Sequence, residues 1–137
     1  MTPLLLDTCA ALWLAADAPL TDAARDAVFR ALEAGIAIQV SPVTAWEIGL
    51  MARKGRFRSS LSPQRWFERL CALPGVAVCA LDANILLASS FLPGELHGDP
   101  ADRMMAATAR EHGFTLVTRD RALLDYADQG HLAAISC

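Results

Sequence analysis

Residues 3–16 read PLLLDTCAALWLAA. Leu4, Leu5 and Leu6 make a short strand that is apolar on both faces. It ends at one carboxylate, Asp7, and the chain continues from Thr8 to Ala16 as an apolar helix. A strand with no polar face belongs in a sheet covered from both sides, as parallel sheets with crossover helices are.

The same alternation continues outward. Thr21 caps a helix that runs to Glu33 and stops at Gly35, and residues 36–40 (IAIQV) form a β-branched strand. Pro42 sits in its favoured first-turn position and opens a helix to about Lys54, which Gly55 ends. Ser62-Pro63 starts a helix through Leu73, residues 76–80 (VAVCA) form a strand, and Asp82 caps a helix to about Phe91. A loop from Pro93 to Asp99 leads into a helix from Pro100 to His112, stopped by Gly113. Residues 114–118 (FTLVT) are a strand, Arg121 to Asp128 a helix, and the closing LAAIS an edge strand. Strands alternating with helices predict an α/β protein with a mostly parallel sheet. With 137 residues there is room for one core, hence one domain over 1–137.

Composition narrows the function. Hydrophobic residues make up 54% of the chain, consistent with a sheet buried on both faces. The apolar run from Thr8 to Ala16 is too short for a bilayer, which needs roughly 20 residues. The N-terminus lacks the basic region of a secretory signal, so a cytoplasmic protein without membrane contact is expected. Cys9, Cys71, Cys79 and Cys137 form no C-x-x-C pair and read as small apolar residues in a reducing compartment. A net charge of -3 confines any contact with nucleic acid to a local basic patch or to a metal.

The carboxylates carry the chemistry. In open parallel sheets, ligands bind beyond the C-terminal ends of the strands. Asp7 and Asp120 both lie at such ends, although either alone could be a helix cap. Glu47 is the sole charge in Val43-Thr44-Ala45-Trp46-Glu47-Ile48-Gly49-Leu50-Met51, and a buried carboxylate requires a partner or a metal. In Gly98-Asp99-Pro100-Ala101-Asp102-Arg103, Asp99 suits an N-cap and Asp102 the third helical position of a capping box. That helix start can also face the edge that bears Asp7. Converging acids repel one another, and a hard divalent cation would neutralise them and serve phosphodiester hydrolysis by a metal-activated water.

Four pieces in order, PLLLDT, SPVTAWEIGLMARKGRF, HGDPADRMMAATAREHG and LVTRD, span nearly the whole chain. Together they resemble the PIN domain, and within it the VapC-like toxins. The resemblance implies a three-layer α/β/α sandwich, Mg²⁺ or Mn²⁺, endonucleolytic RNA cleavage, homodimers and a cognate small antitoxin. It assigns metal-binding and catalytic roles to Asp7, Glu47, Asp102 and Asp120, and matches Thr118 to a hydroxyl position beside the last acid. Asp99 precedes the matching acid and reads as a cap. The loop departs from the pattern at His97-Gly98, where relatives often carry a basic residue after the His, and His97 itself reads as a loop residue.

Arg53, Lys54, Arg56 and Arg58 cluster after the Glu47 helix as a solvated face or a phosphate track, with Arg65 and Arg69 on the next helix as its candidate extension. Trp13, Trp46 and Trp66 lie on apolar helices and read as core or dimer packing. Two other Mg²⁺-dependent classes do not fit. A haloacid-dehalogenase-like phosphatase needs an Asp where Cys9 stands, and a receiver domain needs a strand-end lysine, whereas the only lysine is Lys54. Two alternatives stay open: a catalytically inactive PIN-fold binding module, and a PIN nuclease of RNA processing.

Overall fold

The computed structural model describes residues 1–16 and 18–137. Its elements run β1 (Leu4–Leu6), α1 (Thr8–Ala15), α2 (Asp22–Glu33), β2 (Ile38–Val40), α3 (Pro42–Arg53), α4 (Pro63–Ala72), β3 (Val76–Val78), α5 (Ala83–Ser90), α6 (Pro100–His112), β4 (Thr115–Thr118), α7 (Arg121–Asp128) and β5 (Ala134–Ser136). The five strands form one sheet in the order β3-β2-β1-β4-β5, and every pairing is parallel. This is the expected α/β class, with the closing strand parallel like the rest.

Side chains alternate across the sheet and feed two apolar layers. Leu4, Leu6 and Val117 pack with Ala24, Val28 and Ala31 of α2 and with Trp66 and Leu70 of α4. Leu5 and Leu116 face the other way, toward Met105, Ala106 and Ala109 of α6 and Leu123 and Tyr126 of α7. Each fully buried Leu contributes about 1.5–3 kcal/mol of transfer free energy, so the two-faced apolar strand is what holds helices on both sides.

Strands β2 and β4 start later than their apolar runs suggest. Ile36 N–H bonds the Ala31 carbonyl at 2.9 Å, and Phe114 N–H bonds that of Ala109 at 2.9 Å. Both residues close the end of the preceding helix, past Gly35 and Gly113, and are therefore spent on capping before the ladder begins. Gly113 supplies the left-handed turn with φ 70°.

Because the strands are parallel, their C-terminal ends share one edge. The order reverses at β1, whose neighbours β2 and β4 lead their chains away on opposite sides. That reversal opens a crevice at the β1/β4 edge. Helices α1, α3 and α7 leave from this edge, and α6, which runs back to β4, begins there.

Candidate active site

Each acid is positioned by a local rule. Asp7 follows β1 directly and caps α1, its Oδ1 accepting the Ala10 N–H at 2.8 Å. Asp120 caps α7 in the same way, with the Leu123 N–H at 3.0 Å. Thr118, the last residue of β4, ties the two together: its hydroxyl donates to Asp7 Oδ2 and accepts the Asp120 N–H at 3.0 Å. On α3, Glu47 accepts a hydrogen bond from the Thr8 hydroxyl, which also lies 3.2 Å from the Thr44 hydroxyl. Asp99 caps α6 by accepting the Asp102 N–H at 3.0 Å.

The capping box expected at α6 is only half made. Asp102 does not reach back to the Asp99 N–H, because that donor goes to Nδ1 of His97 at 3.1 Å. The carboxylate of Asp102 is thereby left to the cleft. His97 follows it there, with Nε2 3.2 Å from Asp102 Oδ2 and 4.0 Å from Asp120 Oδ1.

These residues wall one cleft of about 360 Å³, lined by Asp7, Thr8, Cys9, Glu47, Asp99, Asp102, Met105, Arg119 and Asp120. All four acids expected from the sequence line it. Burial raises the pKa of Asp7, opposed by the Thr118 hydrogen bond and reinforced by Asp120. Burial also raises that of Glu47, opposed by Thr8 and reinforced by Asp99 and Asp7. Asp102 is pushed up to about 7, first by burial and then by the charges of Asp120 and Asp99, with His97 working against them. Burial and mutual repulsion favour the protonated form of these carboxyls, and a cation in the cleft would take the place of the protons.

The basic run divides. Lys54 and Arg56 line a groove with Trp46, Leu50 and Met51 that shares Glu47 and Asp99 with the acid cleft. Arg53 and Arg58 are exposed and are not among its walls. Only Trp66 meets the expectation of core packing, 9% exposed and edge-on to Phe57. Trp46 is 48% exposed on the groove. Trp13 lies under the Arg119 guanidinium, 3.0 Å from its ring centroid. Cys9 is exposed at the cleft rather than packed as a small apolar residue, and all four thiols are free.

Sequence reasoning missed Thr8 and Arg119 in the cleft and, beside Asp102, a third residue. Thr8 and Arg119 stand inside the PLLLDT and LVTRD pieces, where only the acids and Thr118 drew attention. Arg119 is anchored through Nε and Nη2 to the Cys137 carbonyl, each at 3.2 Å. The third, His97, gave no periodic or capping signal, since its role comes from a loop folding back.

Comparison with known proteins defines the class. The PIN domain family matches residues 4–129, and the chain belongs to that family. Within it the chain is a VapC ribonuclease homologue: Ribonuclease VapC22 of Mycobacterium tuberculosis is 33% identical over 124 residues, 90% of this chain and 91% of that protein. Among solved structures, VapBC2 from Rickettsia felis bound to a promoter DNA fragment contains a similar chain, with TM-score 0.68, 16% identity and 97% of each chain covered. So does a toxin–antitoxin complex from Klebsiella pneumoniae, with TM-score 0.57, 23% identity and coverage of 96% and 95%. Nucleases of this family depend on metal, and an all-oxygen carboxylate set suits a hard divalent cation.

Proposed function

We propose that this VapC-like PIN ribonuclease is a Mg²⁺- or Mn²⁺-dependent endoribonuclease, the toxin of a toxin–antitoxin pair, with Asp7, Glu47, Asp102 and Asp120 as its catalytic acids. The observation that carries the proposal is the convergence of these four carboxylates on one cleft at the reversal of strand order.

Asp7 and Asp102 would hold the cation, and Glu47 and Asp120 would complete its charge environment. When bound, the cation supplies charge stabilisation at the phosphoryl oxygen and a water activated at neutral pH. The protein's part is positioning. Thr118 and the Ala10 N–H each occupy one lone pair of Asp7, which fixes the carboxylate and leaves a lone pair on each oxygen free. Thr8 does the same for one oxygen of Glu47. Glu47 is then a base placed to orient the attacking water, and no side chain in the cleft is needed as a covalent nucleophile. Lys54 and Arg56 lie along the adjoining groove, where the RNA backbone would run.

The cognate antitoxin would lay an Arg or Lys into the acid cleft; that a partner exists is supported by the similar chain from Klebsiella pneumoniae, which is part of a toxin–antitoxin complex. A homodimer is supported by the exposed apolar end of α5, where Leu87 is 63% exposed and Phe91, the residue that caps the helix, 82%. No helix among the described residues is long and apolar enough to cross a membrane.

The purified chain should cut single-stranded RNA in Mg²⁺ or Mn²⁺ and stop in EDTA, with activity restored by excess metal. Cleavage that continues in EDTA would refute the mechanism. An intact, RNA-binding protein that never cleaves would point instead to an inactive binding module.

A further inference from the structure

The loop that carries His97 is pinned at several points. Arg103 of α6 donates from Nε to the Ser89 carbonyl at 2.9 Å, and from Nη1 to the carbonyls of Leu96 at 2.8 Å and His97 at 3.4 Å. The phenol of Tyr126 donates to the Pro93 carbonyl. The imidazole is therefore delivered to the acid cleft by a fixed backbone rather than by a free loop.

Its surroundings also fix where the ring proton sits. A backbone N–H can only donate, so the bond from Asp99 N to Nδ1 makes Nδ1 an acceptor. The neutral ring then carries its proton on Nε2. That nitrogen is the one 3.2 Å from Asp102 and 4.0 Å from Asp120.

His97, Asp102 and Asp120 offer ligand atoms within 4.8 Å of one another, which on distance alone would suit a metal. The tautomer argues otherwise. A metal-ligating His binds through one nitrogen and donates the N–H of the other to an acceptor. Here the second nitrogen faces a donor, so ligation through Nε2 would set two N–H groups against each other.

We infer that His97 is a positioning residue for the metal carboxylates and not a ligand. Its Nε2 lies 3.2 Å from Oδ2 of Asp102, with Oδ1 of Asp120 next in reach at 4.0 Å. The Asp99 N–H sets the tautomer, so Asp99 acts through His97 as well as through the cap. This inference rests on the proposed reading of the cleft as a cation site.

The test uses the whole chain and two readouts. In ¹⁵N-labelled metal-free protein, imidazole two-bond correlations should report the Nε2–H tautomer for His97, and adding Cd²⁺ should leave that proton in place. An Nδ1–H tautomer, or coupling of Nε2 to ¹¹³Cd, would overturn the inference by making His97 a ligand. In calorimetric titration with Mn²⁺, His97→Ala should weaken binding about tenfold, the lower end of the usual loss for such outer partners. His97→Gln, which keeps an N–H donor, should recover part of it. Unchanged Mn²⁺ affinity in a folded His97→Ala protein would also overturn the inference. Wild-type protein that binds no Mn²⁺ would refute the cation site itself, and the role of His97 with it.

Discussion

Asp7 and Asp82 obey the same local rule and come to different ends. Both follow a strand and cap the next helix, Asp7 through the Ala10 N–H at 2.8 Å and Asp82 through the Ile85 N–H at 3.0 Å. Their difference lies in the strand each follows. Asp7 leaves β1, the centre of the sheet, while Asp82 leaves β3, at its edge. Asp7 is 8% exposed and shares a cleft with Glu47, Asp102 and Asp120, whereas Asp82 is exposed and is not among the residues that line that cleft. A capping carboxylate becomes a candidate ligand when topology surrounds it with others.

The sharpest break in this comparison would come from catalysis. Asp7→Asn keeps the cap, since Asn serves as well as Asp there, but removes one charge from the cleft. RNA cleavage should fall at least about 10³-fold, the scale of losing a principal electrostatic group, with the circular dichroism spectrum unchanged. Asp102→Asn should match it. Retained cleavage in both variants, measured at equal metal and RNA, would place the chemistry elsewhere.

Acidity gives the next effect. The pKa of Asp102 rises from 3.8 to about 7 in the metal-free fold. Between those values the folded protein binds more protons than the unfolded chain, so stability falls as pH rises through that window and levels off above it. The loss is on the order of 4 kcal/mol at about 1.4 kcal/mol per unit, and burial acts on Asp7 and Glu47 in the same direction. Urea unfolding from pH 4 to 8 should show this decline without metal, and Asp102→Asn should flatten it. A wild-type protein whose stability rises over that range would contradict the burial of these charges.

Metal should reverse the penalty. A cation at 100 times its Kd stabilises the fold by about 2.7 kcal/mol, so Mg²⁺ or Mn²⁺ should raise the Tm of the wild type and raise it less in Asp7→Asn. Equal shifts would remove Asp7 from the ligand set. Smaller still is the effect of Arg56→Ala, which takes one cation from the groove wall. It should weaken RNA binding, make the logarithmic salt slope shallower by about one, and leave the rate at saturating RNA largely unchanged.

Asp82→Ala is the control that closes the comparison. It should cost about 1 kcal/mol of stability, as loss of an N-cap does, and leave cleavage and metal affinity as they were. A fall in activity beyond what that destabilisation explains would mean that the edge of the sheet contributes to the site.

The sequence by itself determined what depends on neighbours along the chain. The apolar run of Leu4 to Leu6 required cover on both faces, and Thr21, Pro42, Asp82, Asp99 and Gly113 marked helix ends that the structure reproduces. The four acids stood out because a charge at a strand end or inside an apolar helix is costly to bury alone. Tertiary structure decided which of these marks converge. Strand order brought Asp7 and Asp120 together and left Asp82 at the edge. It sent Lys54 and Arg56 to the groove without Arg53 and Arg58, which no spacing along one helix end could distinguish. It also turned His97, an unremarkable loop residue in the sequence, toward Asp102. A loop's path is fixed by distant partners, here Arg103 and Tyr126, whose hydrogen bonds to its carbonyls have no periodic trace in the sequence.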